Sequence, residues 1–270
     1  MRVPIYNRRA GVLDNAMRSG IGTPEVAALP PIPTPTHYQP FDGDLLGYGS
    51  ASAGTGRLWE APNSNTWVSG SLAGKQAIHV DGPSVQWLSA SGTNIPPETN
   101  QSFTMGMHVQ IPPGDFVFLF SAFANGGQSY FEVDGYDTST SLYFAANRSV
   151  GSPTWATDYS FSSDALGSDW QDIVVVIDRV ANTITAYRNG VQMGAPFSIS
   201  FMGTSNAWDR ATWSIVATAG SRIAAVSTIR KTASFAEYAW WDGTALTATD
   251  ANTIHQLRLR GTSIRSFLGL

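Results

Sequence analysis

The chain contains no cysteine. It therefore has no disulfide framework and no thiolate chemistry, and it suits folding in a reducing cytosol, with later release left open. Charge is scarce. Only 13% of the 270 residues are Asp, Glu, Lys or Arg, as expected of a chain that buries much surface or sits in an assembly. The formal net charge is −4, so the basic footprint of a nucleic-acid binder is missing. No apolar run approaches the ~18 residues of a membrane span, so no membrane insertion is expected. Arg2, Arg8 and Arg9 open the chain, but no apolar stretch follows them, so a secretory signal is not expected. No Gly-x-Ser-x-Gly elbow, Walker loop or dinucleotide fingerprint occurs. The four histidines, His37, His79, His108 and His255, lack zinc spacing.

What is abundant is glycine, serine and threonine, beside an 11% aromatic content, which suits the turns and polar strand faces of an all-β chain. The length allows one large sandwich or two small domains. Residues 1–36 differ from the rest. A basic-aromatic start with Pro4, Tyr6, Arg8 and Arg9 leads to Leu29-Pro30-Pro31-Ile32-Pro33-Thr34-Pro35-Thr36. That proline cluster favours polyproline II and cannot continue a sheet. The segment reads as an arm and a semi-rigid spacer. With little core of its own, the arm is expected to be tied to a partner chain.

From His37 the pattern is β-rich. Lys75 to Gly82 reads as a strand ending in a turn, and Val85 to Leu88 as a second strand. Phe103, Met105, Met107, Val109 and Ile111 alternate onto one face of a longer strand. On this pattern His108 falls on the opposite face, read as exposed or facing a neighbour. Trp170 to Gly190 is the most informative stretch. Ile173 to Ile177 is a β-branched run suited to a strand buried on both faces. Val180-Ala181-Asn182 makes a tight connection, Thr183 to Arg188 returns, and Asn189-Gly190 tolerates the positive φ of a turn. Near the end, Thr247 is the expected N-cap of a short helix, with Asp250 as its capping-box partner. Ala251, Ile254 and Leu257 have helical spacing through Leu259. The tail 262–270 is expected to fold back on its own sandwich.

The Trp170–Gly190 hairpin, the strand Gly74 to Gly82, the strand opening Ser102-Phe103-Thr104-Met105 and the closing strand with its short helix follow one another in a set order. Together they resemble laminin-G-like jelly rolls of the concanavalin A-like lectin/glucanase superfamily, over roughly residues 38–261. The resemblance implies an all-β fold: a concanavalin A-like antiparallel β-sandwich (jelly roll) over 37–261, with an extended N-terminal arm and a short C-terminal helix. It also implies where chemistry could sit. Laminarinase- and lichenase-type glucanases of the superfamily carry Glu-x-Asp-x-x-Glu on a concave strand, and Glu132-Val133-Asp134-Gly135-Tyr136-Asp137 is similar to it. Carried over, Glu132 is the nucleophile and Asp137 the acid/base, two carboxyls that a retaining glycosidase holds ~5–5.5 Å apart. The third position here is Asp, one methylene short, and Asp134-Gly135 equally makes a strand end running into a turn. Catalysis is therefore the lesser alternative.

Laminin-G-like domains often hold a Ca²⁺ ion at a loop rim, for which Asp42, Asp44, Asp81 and Asp137 are weak candidates, each otherwise a turn residue or cap. A glycan rim needs exposed aromatics. Trp155 and Trp208, in Ser/Thr/Asn-rich, loop-like contexts, fit best, whereas tandem Trp240-Trp241 puts at least one ring in the core. Arm, spacer and lectin-like sandwich together resemble tailed-bacteriophage virion proteins. The expectation is a non-enzymatic virion structural protein: a head decoration, collar, tail or fibre subunit. It would be assembled in the host cytoplasm, held in a homo-oligomeric assembly through Pro4, Tyr6, Arg8 and Arg9, and able to touch host glycan. The alternatives are a stand-alone carbohydrate-binding module and a glycoside hydrolase.

Overall fold

The computed structural model describes residues 27–43, 47–48, 59–60, 66–80, 89–91, 101–111, 116–124, 129–136, 142–148, 155–160, 169–200, 214–216 and 233–270. The chain divides into two units, Met1–Pro30 and Pro31–Leu270. The arm residues Pro4, Tyr6, Arg8 and Arg9 lie outside the described residues.

The second unit is the expected antiparallel β-sandwich. Strands are numbered along the chain. The first sheet runs β13 (Val191–Gln192), β12 (Thr183–Arg188), β11 (Gln171–Asp178), β6 (Phe103–Gln110), β16 (Ala233–Asp242), β4 (Gln76–Val80), β3 (Thr66–Ser69), with β1 (His37–Gln39) also on β16 and β14 (Phe197–Ser198) on β12. The second runs β10 (Trp155–Ser160), β9 (Leu142–Arg148), β8 (Ser129–Tyr136), β7 (Phe116–Ala124), β15 (Ser214–Val216), β5 (Ser89–Ser91), β2 (Trp59–Glu60). The expected strand Val85–Leu88 lies outside the described residues.

The hairpin forms as its residues dictate. β11 and β12 pair from Asp178↔Thr183 to Ile173↔Arg188. Asn182, Asn189 and Gly190 take φ of 53°, 50° and 76°, the left-handed region that Asn and Gly tolerate best. Gly190 is needed for a second reason: a Cβ there would lie 3.0 Å from the Asn252 Cα.

β6 is the spine of the first sheet, flanked by β11 and β16 and buried on both faces. Cross-strand partners share a face. Met105 is in register with Val175 and Trp240, and Met107 with Ile173 and Tyr238. All of these side chains are buried. Each contributes roughly 1.5–3 kcal/mol by leaving water. The other face carries Thr104, Gly106 and His108, and it too is covered. Both Trp240 and Trp241 are buried, one on each face as alternation requires. The cover is α1 (Ala248–Leu259), which starts at the Thr247–Asp250 capping box and buries Ala251, Ile254 and Leu257. Leu246 N–H donates to Thr104 Oγ1 (3.0 Å), tying the approach to the helix onto β6. α2 (Ile264–Leu268) then brings the tail back over the same sheet, with Ile264 buried.

Part of the proline segment is integral to this unit. Ile32 is buried, Trp241 Nε1 donates to the Pro33 carbonyl (2.8 Å), and Thr36 N–H donates to the Trp240 carbonyl (2.9 Å). β1 follows directly, its His37 ring 4.4 Å from that of Trp240.

Candidate functional site

His108 is not exposed, although exposure was one of the two expectations for it; it is the centre of a buried polar cluster. Alternation placed it correctly on the face away from the apolar stripe. It could not show that α1 and the tail cover that face. Register sets Asp172 of β11 on one side of His108 and Glu237 of β16 on the other, so three ionisable groups stand in one row across three strands. A bulge between Phe235 and Glu237 sets this part of the register.

From above, α1 supplies His255 and Arg258. Asp172 Oδ1 accepts from His108 Nδ1 (2.8 Å) and Arg258 Nε (3.2 Å), and its Oδ2 accepts from His255 Nδ1 (2.9 Å). Arg258 NH2 also donates to Glu237 Oε2. Burial alone would push the Asp172 pKa up. The hydrogen bonds from His108 and His255 and the charge of Arg258 outweigh it and hold the carboxyl well below its ordinary range. For Arg258, burial works against the charge, but Glu237 and Asp172 win and its pKa is raised. Tyr38 sits beside this group; burial first, then the Glu237 charge, pushes its phenol far above its ordinary value.

Two members of the cluster, His108 and Glu237, line a cavity of about 330 Å³ on the first sheet. Tyr38, His108 and Glu237 line its base. The β3–β4 turn contributes Ser71 and Lys75, and the tail contributes Arg265 and Ser266. Ser71 Oγ lies 2.6 Å from His108 Nε2. Trp170 stacks on the His108 ring at 5.2 Å and 14°. Lys75 Nζ donates to Asp42 Oδ2 (2.6 Å), and the Gln76 N–H to Asp42 Oδ1 (2.9 Å). Arg265 lies over the Tyr48 ring, 4.0 Å from its centroid, and its Nε donates to the Leu270 carbonyl (2.8 Å).

The expected site residues fall elsewhere. Glu132 and Asp134 stand two positions apart on β8, an interior strand of the second sheet, in register with Ser121 and Phe118 of β7. The strand continues to Tyr136, so Asp134-Gly135 is not the turn expected of it. Trp155 is likewise not in a loop: it opens β10, the outermost strand of that sheet, opposite Arg148. Asp137, Trp208, Asp44 and Asp81 lie outside the described residues. Asp42 is described, and its ion pair with Lys75 would compete with any Ca²⁺. Among the described residues no group of three or more acidic or histidine side chains is arranged to hold a metal ion.

No protein-family model matches the chain, and the comparison with curated proteins gives no match. Solved structures do match its fold. The binding domain of Paraclostridial Mosquitocidal Protein 1 superposes with a TM-score of 0.57 at 13% identity, covering 75% of this chain and 48% of that one. The botulinum neurotoxin serotype G binding domain gives 0.58 at 14%, covering 83% and 51%. A botulinum neurotoxin type C structure, whose cell entry depends on interaction with two ganglioside molecules, gives 0.58 at 10%, covering 83% and 50%. The chain thus spans about half the length of each. At these identities the likeness shows the fold alone: a concanavalin A-like antiparallel β-sandwich.

Proposed function

We propose that the sandwich is a binding module that seats a polar, saccharide-sized ligand in the cavity over His108 and Glu237. The observation that carries this is the cavity's composition. Hydroxyls (Ser71, Ser266), a carboxylate (Glu237) and cations (Lys75, Arg265) converge in about 330 Å³. Sugars need such a mixture of donors and acceptors on a rigid support. The fold shared with toxin binding domains supports a binding role. The reading asks no catalysis of Glu132, Asp134 or Asp137. The test is a glycan array on the full chain, followed by calorimetry with Lys75→Ala and Arg265→Ala. Affinity for a hit should fall about tenfold or more in these variants. If it falls in Trp155→Ala or Trp208→Ala instead, the site is the aromatic rim; if no glycan binds, the reading fails.

The assembly role remains a second proposal, favoured by the way the first unit is continued. The arm would tether the protein to neighbouring virion subunits through Pro4, Tyr6, Arg8 and Arg9, and residues 31–36, pinned on β16, would give the tether a fixed root. A deletion of residues 2–30, which spares that root, should leave the circular dichroism of the sandwich unchanged. It should also abolish incorporation into purified particles, as read by mass spectrometry. Normal incorporation would sink the tether.

A further inference from the structure

We propose that Ser71, His108 and Asp172 form a nucleophilic triad, and that the cavity hydrolyses small carboxylic esters. This goes beyond ligand binding and does not depend on it. The three side chains come from the β3–β4 turn, β6 and β11, yet they stand in line: Ser71 Oγ to His108 Nε2 is 2.6 Å, and His108 Nδ1 to Asp172 Oδ1 is 2.8 Å. Nucleophile, base and a third group orienting the base are within hydrogen-bond reach, which is the arrangement that activates a serine hydroxyl.

The protonation states follow from the partners. Asp172 is an ionised acceptor, so His108 carries its hydrogen on Nδ1. Its Nε2 then holds the lone pair, and the Ser71 hydroxyl donates to it. Asp172 and Glu237, two carboxylates against the one guanidinium of Arg258, leave one net negative charge beside the imidazole. A proton arriving on His108 brings that charge to zero, so the imidazolium formed during attack is stabilised by its surroundings. Stacking on Trp170 fixes the ring plane. Ser71 itself is exposed and faces the cavity, where a reacting carbonyl can reach it. Lys75, ion-paired with Asp42, and Arg265, bonded through Nε to the Leu270 carbonyl, line the same cavity, and their remaining N–H groups are the cationic donors nearest an oxyanion there.

In the reaction, Ser71 Oγ bonds to the ester carbonyl carbon as its proton passes to His108 Nε2. The bond to the leaving alkoxide breaks, and that alkoxide takes the proton. Water then adds to the acyl carbon as it gives a proton to His108 Nε2; the bond from that carbon to Ser71 Oγ breaks, the acid leaves, and the proton returns to Ser71 Oγ. One ester and one water become one acid and one alcohol.

Two measurements on the full chain decide the matter. A fluorophosphonate probe should displace its fluoride and phosphonylate Ser71 in the folded protein, with the adduct mapped by mass spectrometry and absent from Ser71→Ala and from heat-unfolded protein. Because the chain has no cysteine, Ser71→Cys introduces a single thiol. Beside His108 it should react with iodoacetamide about tenfold or more faster than the thiol of Ser198→Cys, an exposed position away from the cavity. No adduct on Ser71, or equal alkylation of the two thiols, overturns the proposal. Ser71 is exposed, so neither substitution threatens the fold.

Discussion

Replacing Asp172 by Asn tests how the buried cluster is held. The carboxylate is 3% exposed and accepts three hydrogen bonds, from His108, His255 and Arg258. An amide offers one oxygen and an NH₂ group. With its oxygen towards His108 and Arg258, its NH₂ faces His255 Nδ1, which must change tautomer to accept; turned the other way, the NH₂ meets the obligatory donor Arg258 Nε, and either way the charge assistance is gone. Each charge-assisted bond contributes roughly 1.5–3 kcal/mol. Arg258, whose side chain is 6% exposed, keeps Glu237 as its remaining anion in this cluster. Breaking one side of a buried ionic cluster costs about 3–5 kcal/mol, and we expect Asp172→Asn to lose that much in urea unfolding followed by tryptophan emission. The acid limb gives a second reading. The folded pKa of Asp172 is depressed, so its contribution is present above the unfolded carboxylate pKa of ~3.9 and is lost as pH falls below it. The variant should lack that share of the acid-induced loss. A destabilisation below about 1 kcal/mol, with an unchanged acid limb, would refute the reasoning.

Other outcomes follow from single contacts. Burial holds the His37 pKa at about 3, against an ordinary 6.5. The folded state therefore resists a proton that the unfolded chain takes up, and stability falls between pH 6.5 and about 3 by ~1.4 kcal/mol per unit; His37→Gln, if folded, should flatten urea-midpoint curves across that window. Gly106→Ala would set a Cβ 3.2 Å from Trp241 Cζ3; that ring is pinned through Pro33, so the strain should outweigh the backbone gain and cost about 1–3 kcal/mol in the same assay. Thr247→Ala removes the α1 cap and should cost about 0.5–2 kcal/mol. That loss should also raise amide exchange in the first turn of the helix.

The parts of the fold that local chemistry specifies were legible in the residues. Asn182, Asn189 and Gly190 announce turns because few residues accept positive φ, and Thr247 with Asp250 announces a helix start. The Phe103–Ile111 stripe marks a sheet face. The cavity was not legible, for a physical reason. Ser71 and His108 are 37 positions apart, and His108 and Asp172 are 64; the register of β6 against β11 and β16, and of β16 against the β3–β4 hairpin, aligns them. Asp172 opens an apolar run and looks like its polar margin. One signal was available. Ile173 to Ile177 reads as a strand buried on both faces, which means that something must cover its outer face, and His255 and Arg258 lie among the apolar positions of the helix that does so. That helix could only carry them inward to meet buried acids. The aromatic rim was sought at Trp155 because its neighbours are polar, but polar neighbours also suit an edge strand.

The cavity joins segments from opposite ends of the second unit: Tyr38 on β1, and the tail from Ser263 to Leu270, which closes over it. Between them in sequence lie more than two hundred residues. Whatever occupies the cavity touches both margins at once and acts as a clasp. By mass action it would stabilise the closed ends in proportion to its affinity, and fraying of either end would release it. Occupancy would thus report that the sandwich has closed, and loss of the tail would unmake the site while leaving most strand pairings in place.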